Sequence, residues 1–217
     1  MSTTKIPTNV YAEMTPNPTT MKFVADRPLV SDGHQLEFLN PEQAALCSPL
    51  AAELFNFPFV TGVFISGSIV AVTKDESLGW EMIVNQLREY IREWLMDNEF
   101  AVESDKVEAA LNVLGEASSE LSSDENIAPV DFIKEADIEP SEHDNEIKRL
   151  LDEFVRPAVE QDGGAIDFVA FKKGSVYVHL RGACSGCPSS TQTLKGGIEQ
   201  LLKSKLDAVQ DVVAIGV

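Results

Sequence analysis

Apolar residues recur along this chain at two periods. Between positions 80 and 95, Trp80, Ile83, Leu87, Ile91, Trp94 and Leu95 fall at helical spacing, with Glu81, Arg88, Glu89 and Arg92 between them. That pattern predicts an amphipathic helix whose core face carries both tryptophans. A second helical stripe, Ile147, Leu150, Leu151, Phe154 and Val155, runs up to Pro157, which is expected to interrupt or end it. Period two dominates elsewhere. In residues 175–180 Val176, Val178 and Leu180 share one side and Tyr177 and His179 the other, as in a half-buried strand. Residues 165–171 read as its hairpin partner across Lys172-Lys173-Gly174, after a turn at Asp162-Gly163-Gly164. Residues 191–206 then read as helix and 209–217 as a last strand. In the first half, residues 59–65 and 69–73 flank Ser66-Gly67-Ser68, a hairpin signal. Residues 41–46 and 49–55 read as helix, with Ser48 as N-cap and Pro49 in the first turn. Residues 36–39 form a weak strand. The stretch 10–24, broken by Pro16 and Pro18, is expected to give an edge strand or two pieces.

These elements group into two domains, an α/β domain over residues 1–98 and a small α-β-β-α-β domain over 141–217, with helices on one face of its sheet. Residues 99–140 change character. Serines and acids crowd out large apolar groups, and a solvated acidic linker is expected, with room for a short helix at 107–114. Charge sharpens the division. Of the net −18, residues 97–146 supply 16 acidic and 2 basic side chains, whereas 147–217 hold 9 basic and 8 acidic. A basic surface for nucleic acid is therefore excluded as an expectation. No apolar run approaches the roughly 20 residues that cross a bilayer. The first 26 residues lack both an apolar signal core and the Arg-rich character of a transit peptide, so a cytoplasmic protein is expected. A matured organelle protein would look the same.

The chemistry centres on Cys184-Ser185-Gly186-Cys187, between the predicted strand and a helix opened by Pro188. Three cysteines, an odd number, argue against a disulfide framework. Cys47 is expected as a small buried hydrophobe. A helix N-terminus favours negative charge, so the pair is expected to sit as thiolates, the form that binds metal or attacks a disulfide. Three readings stand. A dithiol–disulfide couple fits the strand–loop–helix context, but the domain is about half the length of a thioredoxin-like fold and lacks its preceding βαβ unit. A zinc site needs two further ligands, and the nearest histidine, His179, reads as a surface or cross-strand residue. In the third reading a second copy supplies the missing thiolates, and four thiolates suit zinc or an iron–sulfur cluster. Such a pair must be able to meet a sister pair or an outside donor; walled off, it would lose its support. Gly182, Ala183 and Gly186 keep the loop slim. Gly196-Gly197 inside the helix implies either close helix–sheet packing or room for a partner.

A family resemblance is carried by Arg156-Pro157, Asp162-Gly163-Gly164, Val176-Tyr177-Val178, residues 182–190 (Gly-Ala-Cys-Ser-Gly-Cys-Pro-Ser-Ser), Thr193-Leu194-Lys195 and Gly197-Ile198-Glu199. Over about residues 144–217 the chain resembles the C-terminal domain of NifU, the Nfu-type iron–sulfur scaffold family. Over about residues 8–96 it resembles the Nfu N-terminal domain, in Thr15-Pro16-Asn17-Pro18, Met21-Lys22-Phe23, Ser48-Pro49-Leu50-Ala51, Leu54-Phe55, Val63-Phe64, Val72-Thr73-Lys74 and Trp80. The resemblance implies a non-enzymatic carrier. It implies a 4Fe-4S cluster shared by two chains, with Cys184 and Cys187 as ligands and a homodimer when loaded. It further implies delivery to apo iron–sulfur proteins and loading by upstream assembly machinery. No chemistry is legible in the first domain, which is expected to dock targets or regulate exchange.

Overall fold

The computed structural model describes residues 5–31, 33–110, 141–185 and 188–215. The first unit is a five-stranded antiparallel sheet, β1 (Val10–Met14), β2 (Thr20–Ala25), β3 (Gln35–Phe38), β4 (Val60–Ser66) and β5 (Ile69–Lys74), in the order β1-β2-β5-β4-β3. The 10–24 stretch thus resolves into two strands of one hairpin. Helices α1 (Pro41–Ala44), α2 (Pro49–Leu54) and α3 (Trp80–Asp97) pack against this sheet. Met21, Phe23, Leu36, Phe38, Val63, Ile65, Val70 and Val72 alternate onto the sheet face that meets them. Ser48 caps α2 as expected, accepting the Ala51 N–H at 3.2 Å.

One detail of α3 departs from expectation. Its buried stripe is Ile83, Leu87, Ile91 and Leu95, while Trp80 and Trp94 flank it, half-buried. Each indole N–H needs an acceptor, which pulls the ring to the rim: Trp80 donates to the Pro18 carbonyl at 2.9 Å and Trp94 to Glu53 at 3.2 Å. The C-terminal end of α3 is held by Arg27. Its guanidinium donates to the carbonyls of Leu95, Asn98 and Glu99 and satisfies acceptors the helix leaves open.

The first domain does not stop at residue 98. Ala101, Val102, Val107 and Ala110 are buried in its core, and residues 104–110 are helical. The Ala101 N–H donates to Leu29 and the Glu103 N–H to Cys47, so the backbone here is tied down as well. The expectation of a linker from 99 onward is corrected to this extent. Four small or β-branched residues among many acids gave too weak a stripe to read. The remainder of that expected linker, residues 111–140, lies outside the described residues.

The second unit begins with α4 (Asp144–Leu150), one π turn (Leu151–Val155) and α5 (Arg156–Gln161). Pro157 does not end the helix. It cannot donate to the carbonyl four residues back and its ring crowds that carbonyl. The wider turn just before it absorbs the misfit, with the Arg156 N–H reaching the Leu151 carbonyl. Strands β6 (Gly164–Lys172) and β7 (Ser175–Gly182) pair antiparallel. Helix α6 (Pro188–Lys205) then crosses to β8 (Asp211–Ile215), which pairs parallel with β7. Ile147, Leu150, Val159, Ile166, Val176, Val178, Leu180, Ile198 and Leu202 form this unit's own core. Both the two-domain plan and the α-β-β-α-β order of the second unit are observed.

Val107→Ala separates a packed position from a solvated one. As a core residue 1% exposed, it should cost about 2 kcal/mol of stability, read by denaturant unfolding. A change within about 0.5 kcal/mol would return residues 101–110 to the linker.

Candidate metal centre

Cys184 lies on the turn that follows β7, within four residues of the start of α6. Three features shape that turn. Gly182, the last residue of β7, has φ +64°, a left-handed conformation that L side chains rarely adopt. The Ser185 N–H and hydroxyl both donate to the Gly182 carbonyl, at 3.1 and 2.9 Å, which closes the turn. The Ala183 N–H donates back to the Gly163 carbonyl at 3.2 Å. The turn is thereby laid against the beginning of β6.

This geometry sends Cys184 inward. Its side chain is 8% exposed and joins the second unit's core. Gly164 makes the space: a β-carbon there would stand 2.7 Å from Cys184 Sγ and 2.8 Å from the Arg181 carbonyl. Burial pushes the Cys184 thiol up to about 11, and the negative charge of Asp162 adds to the shift. The expected thiolate is therefore corrected at Cys184. The requirement that the sulfur be able to meet an outside donor is not met by Cys184 in this conformation. Cys187 lies outside the described residues.

The other candidates sort cleanly. Cys47 is fully buried in the first core and its thiol is likewise pushed up to about 11 by burial, a packing residue as expected. His179 faces away from Val176, Val178 and Leu180, opposite Asp167 in the β6–β7 register, and burial lowers its pKa. It is a cross-strand residue. Among the described residues no group of three or more His, Cys, Asp or Glu side chains is placed to hold a metal ion. Nothing among the described residues lies within 4 Å of the positions that β-carbons on Gly196 and Gly197 would take, which argues against close helix–sheet packing as their purpose.

Sequence reasoning missed the groups that surround the cysteine turn, because they belong to the first domain. Asn17 Nδ2 donates to the Ser185 carbonyl at 3.0 Å, and Glu37 Oε1 accepts the Gly182 N–H at 2.7 Å. Burial raises the Glu37 pKa against the lowering effect of that N–H and of Arg181. Asn17, Glu37, Phe64, Lys74, Gly182 and Ser185 border a cleft of about 280 Å³ beside the turn. One signal was available. The runs Val63-Phe64-Ile65 and Val70-Ala71-Val72 are apolar on both faces, which marks a sheet covered on both sides.

Comparison with known proteins follows the same division. Residues 10–98 match the N-terminal domain of the scaffold protein Nfu/NifU, and residues 147–213 match the NifU-like domain. The NFU1 iron-sulfur cluster scaffold homolog, mitochondrial, of Drosophila grimshawi is 33% identical over 207 residues, covering 94% of this chain and 60% of that protein. Its counterpart in Drosophila persimilis is 32% identical, covering 94% and 64%. The chain thus spans about three fifths of the length of these relatives. A solution structure of a NifU-like protein from Saccharomyces cerevisiae aligns with a TM-score of 0.40 at 20% identity, over 47% of this chain and 88% of that one.

A buried thiol makes a specific demand on reactivity. Alkylation of Cys184, followed by peptide mapping in the metal-free protein, should rise about tenfold per pH unit from about pH 8 to 10 without levelling. A plateau below about pH 9 would mean an ordinary or activated thiol. The sign for stability follows. A folded-state pKa above the unfolded one favours folding fully below about pH 8.5, and that contribution is lost as pH rises toward 11.

Proposed function

This chain belongs to the Nfu/NifU-like family of iron–sulfur scaffold proteins, and from that premise we propose that it is a non-enzymatic carrier whose cargo is a 4Fe-4S cluster. Cys184 and Cys187 of two copies hold the cargo between them, two thiolates from each chain. The observation that carries the reading is the place of the dithiol segment. It stands between β7 and α6 of a domain that matches the NifU-like family, in a chain similar along 94% of its length to proteins named as iron–sulfur cluster scaffolds.

The chemistry is consistent with such a role. Thiolates are the usual ligands of these clusters, and four of them complete a cubane. Two copies related by a two-fold axis bring two identical loops face to face. A site formed at an interface opens when the copies part, which a carrier requires and a structural site does not. Release then proceeds by ligand exchange, with each client thiolate displacing a carrier thiolate from iron. Partners of that chemistry are apo iron–sulfur proteins on the receiving side and assembly machinery on the loading side.

The same residues bear differently on the two alternatives. A thiol held at about 11 is a poor attacking group near neutral pH, which disfavours a disulfide oxidoreductase built on Cys184. A zinc-bridged structural dimer would use the same four thiolates and differs in metal content. For either metal, Cys184 has to turn out of the core before it can bind.

Anaerobic reconstitution of the full chain should give about two irons and two sulfides per chain, with visible charge-transfer absorption. Cys184→Ala should lose the cluster while retaining its thermal unfolding transition. Normal iron loading by that variant, or zinc in place of iron in protein purified without oxygen, would refute the assignment.

A further inference from the structure

One row of residues crosses all five strands on the outer face of the first sheet: Glu13, Lys22, Ala71, Phe64 and Glu37 stand side by side in the strand register. The helices lie on the other face. Yet Lys22 is 8% exposed, Phe64 2% and Ala71 1%. What covers them is the second domain. Lys22 Nζ donates to the Gln161 carbonyl at the C-terminal end of α5, at 2.6 Å, while Glu13 balances its charge at 2.6 Å. A cation suits that helix end. Phe64 and Ala71 form a small apolar cluster with Ala165 of β6. Glu37 takes the Gly182 N–H. Beside the row, Arg181 donates to the Gln35 carbonyl at 2.9 Å and the Gln35 amide donates to Glu160 at 2.9 Å.

The row ends on the cysteine turn. Gly182 and Ser185, the residues two before and one after Cys184, are each hydrogen-bonded to the first domain, through Glu37 and Asn17. Gly182 serves the contact twice. A β-carbon on it would stand 2.9 Å from the Phe64 ring, so the approach needs glycine as much as the backbone angle does.

We infer that the first domain is a reversible cover for the cysteine turn: its outer sheet face docks on the second domain, holds Cys184 inward, and must lift before that sulfur can reach a metal or a second copy. The inference rests on the carrier reading only for its purpose; the cover itself is a statement about thiol access. Reversibility follows from the character of the contact. Its apolar part is one phenylalanine and two alanines, and the rest is polar, unlike the two separate cores on either side. Residues 111–140 tether the two domains in one chain, so reclosure is intramolecular. A second copy or a client that engages the turn competes with the outer face of β2, β5, β4 and β3.

The test uses the full chain with Cys187→Ser, so that the mapped peptide reports Cys184 alone. Glu37→Ala removes the acceptor of the Gly182 N–H, and Ala71→Glu puts a charge into the apolar contact. Neither residue belongs to the first core. Each variant is first checked for an intact thermal transition, and two positions guard against one failing to fold. Alkylation of Cys184 at fixed pH should run about tenfold faster in either variant, the equivalent of about 1.4 kcal/mol of lost closure. The Gly182 amide, protected from hydrogen exchange in the parent, should lose its protection in Glu37→Ala. Alkylation at the parent rate in folded variants, or an unprotected Gly182 amide in the parent, would overturn the cover. Cluster content plays no part in this outcome. A carrier that never loads iron would fail the proposed function and leave the cover standing, and the reverse holds equally.

Discussion

Two hydrogen bonds, from the Gly182 N–H to Glu37 and from the Asn17 amide to the Ser185 carbonyl, tie the cysteine turn of the second unit to the first domain, and the Glu37 bond is the shorter. Gly182 ends β7 in a left-handed conformation, and that conformation sets the direction in which the chain enters the cysteine turn. Among the described residues its N–H meets the Glu37 carboxylate and not a neighbouring strand. The first domain supplies the acceptor, on the outer face of its sheet, and Asn17 anchors the far side of the turn. The placement of Cys184 follows from these constraints together with the gap left by Gly164.

The consequence is a sulfur kept out of use. Thiolates bind metal; a thiol pushed up to about 11 does not readily become one near neutral pH. Exposure of a low-pKa thiol pair in a cell invites oxidation and adventitious metal. A buried, protonated Cys184 avoids both while the protein is empty. On the proposed reading, loading requires Cys184 to leave this position, and the docking face, whose apolar part is Phe64, Ala71 and Ala165, is the contact that opens. Access to Cys184 is on that reading coupled to the position of the first domain, among whose described residues no metal-binding cluster is found.

Much of this was legible in the sequence. The alternation of Val176, Val178 and Leu180, the Ser48-Pro49 helix start and the hairpin at Ser66-Gly67-Ser68 are local signals, and local structure obeys them. The misses are non-local. Pro157 reads as an interruption or an end, and only the folded chain shows which: a π turn interrupts the helix and lets it continue. Val107 and Ala110 look solvated until the core they fill is assembled. Glu37 alternates between Leu36 and Phe38 like any surface acid, and nothing in its neighbours says that a glycine from position 182 will meet it. The thiolate expectation at Cys184 failed for a related reason. Proximity to a helix start is visible in the sequence, whereas burial beside Gly164 is a property of the folded turn.

The central claim is that a dithiol incomplete in one chain is completed by another. Native mass spectrometry of anaerobically loaded full-length protein tests it most directly. The account predicts that iron and sulfide appear on the species of two chains, with about four irons per dimer, and are absent from the single chain. A cluster retained on the single chain, or a two-chain species whose mass is unchanged by loading, would contradict it.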